Sequence, residues 1–141
     1  MKKNQKSGVI WSVFFLLFLL PTVIFKALDL RVIYNASSSL NGSVFILQKR
    51  PVTTLQIGDL VVFKHVLFKD RLLLKRVSHL EGEAYKAENT LLHEEEENRK
   101  TQVEARHVAV TGDHIRSFDS RYERFGFIPK STILGKAWKI W

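Results

Sequence analysis

Residues 58–77 of this 141-residue chain read GDLVVFKHVLFKDRLLLKRV, and this stretch decides the class of fold. Gly58-Asp59 is a turn signal, and the run Leu60–Phe63 after it is typical of a short β-strand. A second apolar run, Leu72–Val77, predicts another strand. Two short strands joined by a short connection indicate a β domain.

The same pattern of short strands continues on both sides of this stretch. No segment after residue 30 carries a long apolar stripe at helical spacing. The other β-rich segments are Arg31–Tyr34, Ser43–Gln48, Ala84–Ala87, Val103–Val110, Ile128-Pro129 and Ile133–Trp141. We therefore predict that the domain is mainly β. The like-charge run His93–Glu97 is typical of a solvated loop.

The composition excludes several classes of site. The chain has no cysteine, so neither a disulfide nor thiolate chemistry is available. Its five histidines are scattered and show no metal-ligand spacing, so we expect no metal and no cofactor. The net charge of +8 is compatible with nucleic-acid binding, but the basic residues are scattered along the sequence. We expect no nucleic-acid partner.

The N-terminus has the pattern of a membrane segment. Residues 1–7 are polar with three lysines, whereas residues 8–25 carry no charge. The length of this uncharged run is about the minimum that a helix needs to cross a bilayer. Lysines before the span favour a cytoplasmic N-terminus. We predict a cytoplasmic segment 1–7, a transmembrane anchor 8–26 and a periplasmic domain 27–141. A cleaved secretory signal has similar regions and stays open as the alternative.

Lys75 stands inside the apolar run Leu72–Val77. It either points to solvent or is buried, and burial disfavours the ammonium form and lowers the pKa. A neutral lysine can take the proton of a serine hydroxyl and so create a nucleophile without histidine. The serine-rich segment 35–42, NASSSLNG, is a turn-forming loop that offers such hydroxyls a short way after the predicted anchor.

Asp119 and Arg121 stand two positions apart in the segment 112–122, GDHIRSFDSRY. On an extended strand, residues at this spacing lie on the same side, where they can pair with each other or with other loops. We expect a surface pair of this kind to contribute little stability, about 0–1 kcal/mol, and to serve mainly in fixing geometry.

The order of these segments resembles that of type I signal peptidases, and more closely that of their conjugative-transfer relatives of the TraF type. The segments that carry the resemblance are 39–45 (SLNGSVF), 58–63 (GDLVVF), 75–83 (KRVSHLEGE), Asp113, 117–122 (SFDSRY), 126–129 (GFIP) and 133–137 (ILGKA). The resemblance implies a signal-peptidase-like antiparallel β domain behind one N-terminal transmembrane helix.

The resemblance also assigns roles to residues. It implies that Ser39 is the nucleophile, Lys75 the general base, and Ser37 the partner of the Ser39 N–H in the oxyanion hole. The residues implied to support the site are Ser117, Asp119 and Arg121. Because three serines stand in a row, Ser38 and Ser37 remain alternative nucleophiles.

The function implied is a membrane-anchored serine endopeptidase that cleaves leader peptides. The short gap between Lys75 and Gly112 leaves little room for the extra β-domain of housekeeping enzymes, which favours maturation of a conjugative pilin precursor. The location implied is the bacterial inner membrane, and the partners are the membrane, the precursor and other conjugation proteins. Two alternatives stay open: a general type I signal peptidase, and an inactive assembly factor of a conjugation or secretion apparatus.

Overall fold

The computed structural model describes residues 5–69, 71–86 and 100–141. One α-helix, α1 (Gln5–Ala27), precedes all the strands. The strands are β1 (Leu30–Tyr34), β2 (Val44–Gln48), β3 (Leu60–Lys64), β4 (Leu72–His79), β5 (Ala84–Lys86), β6 (Lys100–Gln102), β7 (His107–Thr111), β8 (Ile128–Pro129) and β9 (Ile133–Lys139). Short 3₁₀ helices cover Val66–Phe68 and Lys130–Thr132. The predicted loop His93–Glu97 lies outside the described residues.

Seven of the strands form one antiparallel sheet in the order β1-β2-β9-β3-β4-β7-β8, and β5 pairs with β6 in a second, two-stranded sheet. The prediction of a mainly β, antiparallel domain is confirmed. Strand β9 lies between β2 and β3 and pairs with both. It therefore joins the β1-β2 hairpin to the rest of the sheet.

Strand β3 is covered on both faces, because Val61, Val62 and Phe63 are all buried although neighbouring side chains of a strand point to opposite faces. Val61 and Phe63 belong to the larger core cluster, and Val62 belongs to a smaller one. The larger cluster also contains Val77, Val108, Val110, Phe125, Ile128 and Ile133. The smaller contains Leu40, Phe45, Leu47 and Ala137. The loop between β1 and β2 is thus anchored in the core by Leu40.

The predicted strand Val103–Val110 is wrong in its first half. Strand β7 begins only at His107, because Arg106 has a φ of 62° and the His107 N–H closes a turn on the Glu104 carbonyl at 3.1 Å. An extended strand cannot pass through that left-handed residue. Strand β6 was not predicted, since its sequence, KTQ, is polar.

The N-terminal helix α1 exposes its apolar side chains from Trp11 to Phe25, and Trp11 is 72% exposed. Among the residues that the structure describes, no helix reaches the length and apolarity that crossing a membrane requires. The prediction of a transmembrane helix over 8–26 is corrected accordingly: the helix is present, but its described part falls short of a membrane span.

Candidate active site

The loop between β1 and β2, residues 35–43, is closed by its own first residue. The Asn35 N–H donates to the Ser43 carbonyl at 2.9 Å. The Asn35 side-chain amide donates to the carbonyls of Leu40 and Gly42, both at 3.3 Å. Gly42 has a φ of 141°, which favours glycine at this bend. Local hydrogen bonds and the buried Leu40 therefore fix the loop's shape.

The loop holds Ser37 and Ser39 in a chain of hydrogen bonds. The Asn35 Oδ1 accepts from the Ser37 N–H at 3.2 Å and from its hydroxyl at 2.8 Å. The Ser37 and Ser39 Oγ atoms are 2.8 Å apart. Because Ser37 gives its only hydroxyl proton to Asn35, Ser39 must donate to Ser37. The Ser38 side chain is exposed and makes no hydrogen bond within the described chain.

Asn35 is a site residue that the sequence analysis missed. The spacing Asn35-Ala36-Ser37 was a usable signal, since an asparagine often accepts from the backbone two residues on in an Asx turn. Its second task, bonding two carbonyls farther along the loop, follows only from the folded shape.

A long-range contact fixes Ser39 from the other side. Its carbonyl accepts the N–H groups of Asp113 at 2.6 Å and His114 at 3.3 Å. The Asp113 carboxylate in turn accepts from the Asn41 N–H at 3.0 Å and from the Arg76 guanidinium at 3.1 and 3.3 Å. The loop 35–43 is thereby tied to β4, the strand that carries the predicted base.

Gly112 leaves no room for a side chain at this junction. A Cβ built on it would overlap the Ser117 hydroxyl and the Ser39 carbonyl oxygen. The absence of a side chain is therefore what allows the segment carrying Ser117 to approach the loop carrying Ser39.

Lys75 is buried, with 5% of its surface exposed, and its Nζ donates to the Ser117 Oγ at 2.6 Å. Burial lowers the pKa of the Lys75 ammonium, the charge of Asp119 opposes this in part, and the charge of Arg121 adds to it. The net effect favours the neutral amine compared with an exposed lysine. Of the two readings that the sequence left open, the structure shows the buried one.

Asp119 and Arg121 form an ion pair, but in a setting different from the predicted one. Residues 112–127 are turns rather than an extended strand. Arg121 Nε and Nη2 bond the Asp119 carboxylate at 2.9 and 2.7 Å, and Gly112 N–H adds a bond at 2.8 Å. The pair also is not a surface pair, since Asp119 is 0% exposed.

The ionisation of Asp119 follows from these contacts. Burial opposes the charged carboxylate, but the hydrogen bonds from Arg121 and Gly112 outweigh it and hold its pKa below the ordinary value. Asp119 therefore stays a fixed negative charge next to Lys75.

One cleft of about 940 Å³ brings together Ser37, Ser39, Lys75 and Ser117. Asp119 and Arg121 do not line it and support it through Ser117 and Gly112. Within the described residues, no hydrogen bond joins the Ser39 Oγ to the Lys75 Nζ: each donates to a neighbouring serine instead. The structure thus groups the predicted residues in one site without a direct serine-lysine bond.

The C-terminal part of the chain matches a known family. Residues 83–141 match the family model of the signal peptidases, peptidase S26. This segment, less than half of the chain, contains Ser117, Asp119 and Arg121, whereas Ser39 and Lys75 lie before it. The match supports the type I signal peptidase family and, with it, a serine-type peptidase. A comparison with curated proteins found no match.

Proposed function

We propose that this chain is a serine endopeptidase that cleaves leader peptides, with Ser39 as nucleophile and Lys75 as general base. The observation that carries the proposal is the placement of the half-buried Ser39 and the buried Lys75 in one cleft. The family match to the segment that holds Ser117 and Asp119 supports it.

The reaction is an acyl transfer in two steps. Neutral Lys75 takes the Ser39 hydroxyl proton while the Ser39 Oγ attacks the scissile carbonyl, for which the hydroxyl turns from Ser37 toward Lys75. Lys75 then gives this proton to the leaving amine, and the peptide C–N bond breaks. In the second step Lys75 takes a proton from water, whose oxygen attacks the acyl-enzyme ester. Ser39 leaves with a proton from Lys75.

The oxyanion of each tetrahedral intermediate needs hydrogen-bond donors that are already in place. In the described chain the Ser39 N–H has no hydrogen-bond partner, and the Ser37 Oγ lies 2.8 Å from the Ser39 Oγ on the same loop. We assign the oxyanion hole to these two groups. For this role the Ser37 hydroxyl turns when the substrate binds, so that it donates its hydrogen bond to the oxyanion instead of the Asn35 Oδ1.

Ser117 and the pair Asp119 and Arg121 serve the lysine in this proposal. The Ser117 hydroxyl accepts from the Lys75 Nζ, which aims one N–H and leaves the nitrogen lone pair for the cleft. Arg121 holds Asp119, and its guanidinium also reaches the His114 carbonyl at 3.0 Å. These contacts position the turn on which Ser117 stands.

We place the enzyme at the bacterial inner membrane, with its β domain outside the cytoplasm. The support is the run of exposed apolar side chains on α1, from Trp11 to Phe25, which suits contact with lipid. A membrane-bound precursor would share that surface, and confinement raises its effective concentration. We propose a pilin precursor of a conjugation system as the substrate and other proteins of that apparatus as partners.

The test is mass spectrometry of candidate pilins from cells with the wild-type chain, Ser39→Ala or Lys75→Ala. We expect trimmed pilin only with the wild type, and Ser38→Ala as the matched control should trim normally. Pilin trimmed in both variants would show that the dyad is assigned wrongly. Pili that form without trimming in any strain would favour the inactive assembly factor. Equal cleavage of an ordinary secreted precursor would favour a general signal peptidase.

A further inference from the structure

The wall of the cleft carries basic side chains and no acidic one. Arg71, His114 and Arg116 line it together with Lys75, and no described residue of its lining is an aspartate or glutamate. A cleft with charges of one sign raises the local concentration of ligands of the opposite sign. Arg71, His114 and Arg116 play no part in the dyad chemistry described above.

Two of these basic side chains have no ion-pair partner among the described residues. The side chains of Arg71 and Arg116 are exposed and form no ion pair with any described residue. Two other arginines near the site are used structurally, since Arg76 binds Asp113 and Arg121 binds Asp119. Arg71 and Arg116 therefore keep their hydrogen-bonding capacity for a ligand in the cleft.

Both arginines line the same cleft as the proposed dyad and stand close along the chain to residues of the site. Arg71 directly precedes β4, four residues before Lys75, which is about 13 Å along a strand. Arg116 is the neighbour of Ser117, whose hydroxyl binds the Lys75 Nζ. An extended peptide with its scissile bond at Ser39 would bring residues within about four positions of that bond near one of the two guanidinium groups.

We propose that Arg71 and Arg116 select peptide substrates that carry aspartate or glutamate within about four residues of the scissile bond. The guanidinium group suits this task because its planar N–H donors match a carboxylate in bidentate geometry. This proposal rests on the proposed function, since it names the substrate class of the same cleft. The competing ligand for such arginines is an anionic lipid headgroup, which the experiment separates.

The experiment measures binding and cleavage with three peptides that differ only in charged residues near the scissile bond: acidic, neutral and basic. The full chain is held in neutral detergent without lipid. Binding is measured by fluorescence anisotropy on the variant Ser39→Ala, so that the reading does not depend on turnover of the peptide. Cleavage is measured as kcat/KM on the wild type. We expect the acidic peptide to bind and react about three- to tenfold better than the neutral one at low salt, and this advantage to shrink at high salt.

Three variants assign the effect to the cleft. In Arg71→Gln/Arg116→Gln the ratio of acidic to neutral peptide should fall to about one. In Arg71→Glu/Arg116→Glu the basic peptide should become the preferred one. The matched control, Lys49→Gln/Arg124→Gln, removes two exposed charges away from the cleft, and the ratio should persist. Persistence in the control excludes a general effect of the +8 net charge.

Failure of the acidic-peptide selection and failure of the proposed endopeptidase give different results. Equal binding of the three peptides, or binding of none, overturns the selection of acidic peptides even if the wild type cleaves them. A preference seen only with vesicles containing anionic lipid overturns it in favour of lipid binding. Charge-selective binding without cleavage by the wild type refutes the proposed endopeptidase and leaves an acidic-peptide site.

Discussion

The two halves of the candidate site are built differently. The serine half, the loop 35–43 with Ser37 and Ser39, is partly exposed and keeps its shape through hydrogen bonds to Asn35 and Asp113. The lysine half, Lys75 with Ser117, Asp119 and Arg121, is largely buried, and its groups are charged or polar. A change in the serine half should therefore affect the reaction more than the stability, whereas a change in the lysine half should affect both.

Lys75→Met should give the largest effect on cleavage, and it should change cleavage and stability in opposite directions. We expect cleavage to fall by at least about 10³-fold because the base is lost. The free energy of unfolding should rise by about 1 kcal/mol, since a buried site for a cation becomes apolar. Peptide cleavage assays and urea denaturation measure the two effects. Lys75→Arg, which has no neutral form near pH 7, should be equally inactive, and cleavage by either variant would refute the base.

Asp119→Ala should be the most destabilising single change in the site. It removes a fully buried carboxylate and leaves Arg121 and the Gly112 N–H without their partner, at a cost of about 3 kcal/mol. Ser39→Ala, in the serine half, should stay within about 0.5 kcal/mol of the wild type. Thermal denaturation of both variants compares the halves directly. A similar loss of stability in both would show that the halves are not distinct.

The pH dependence of cleavage tests the lysine half of the site separately from the serine half. In the proposed mechanism only neutral Lys75 acts as base, so we expect kcat/KM to rise about tenfold per pH unit below its pKa and to level off above it. The midpoint should lie below 10.5, the ordinary pKa, because burial lowers it. Rate measurements from pH 5 to about 11.5 locate this midpoint. A midpoint at or above the ordinary value would contradict a desolvated base.

The free energy of unfolding should also depend on pH through Lys75. Between the lowered pKa of folded Lys75 and 10.5 the unfolded chain binds the extra proton, so this residue makes the free energy of unfolding rise with pH. Below the folded pKa the cost of burying the cation is present in full. The rise should be missing in Lys75→Met, and urea denaturation across this range tests it.

Asn35→Ala should give the smallest of these effects and probe the serine half alone. The loop loses two bonds to its carbonyls and the acceptor that orients Ser37, so we expect about 1 kcal/mol of stability and about tenfold in kcat/KM to be lost. Asn35→Asp keeps the acceptor but not the donors, and should recover part of the rate. Equal loss in both variants would show that the loop closure matters and the orientation of Ser37 does not.

Sequence reasoning predicted most of the strands because each is a short apolar run, as in Leu72–Val77 of β4. It failed where the backbone conformation of a single residue breaks a strand. Arg106 has a positive φ and so interrupts the predicted strand Val103–Val110. It grouped Ser39 and Lys75 only through a resemblance. The contacts that hold this site, such as Asn41 with Asp113, join residues 72 positions apart, and no local pattern encodes them.

The position of β9 in the sheet has a consequence for when the protein becomes active. The hairpin β1-β2 carries the serine loop, β4 carries the lysine, and β9 is the strand between these two parts of the sheet. Both proposed catalytic residues are translated long before β9. Without β9, a nascent chain would hold the proposed nucleophile and base on two pieces of sheet joined only by the contacts of the loop 35–43 with Asp113 and Arg76. We therefore expect full hydrolysis only after Ile133–Lys139 has inserted. The order of translation would then delay proteolysis until the fold is complete.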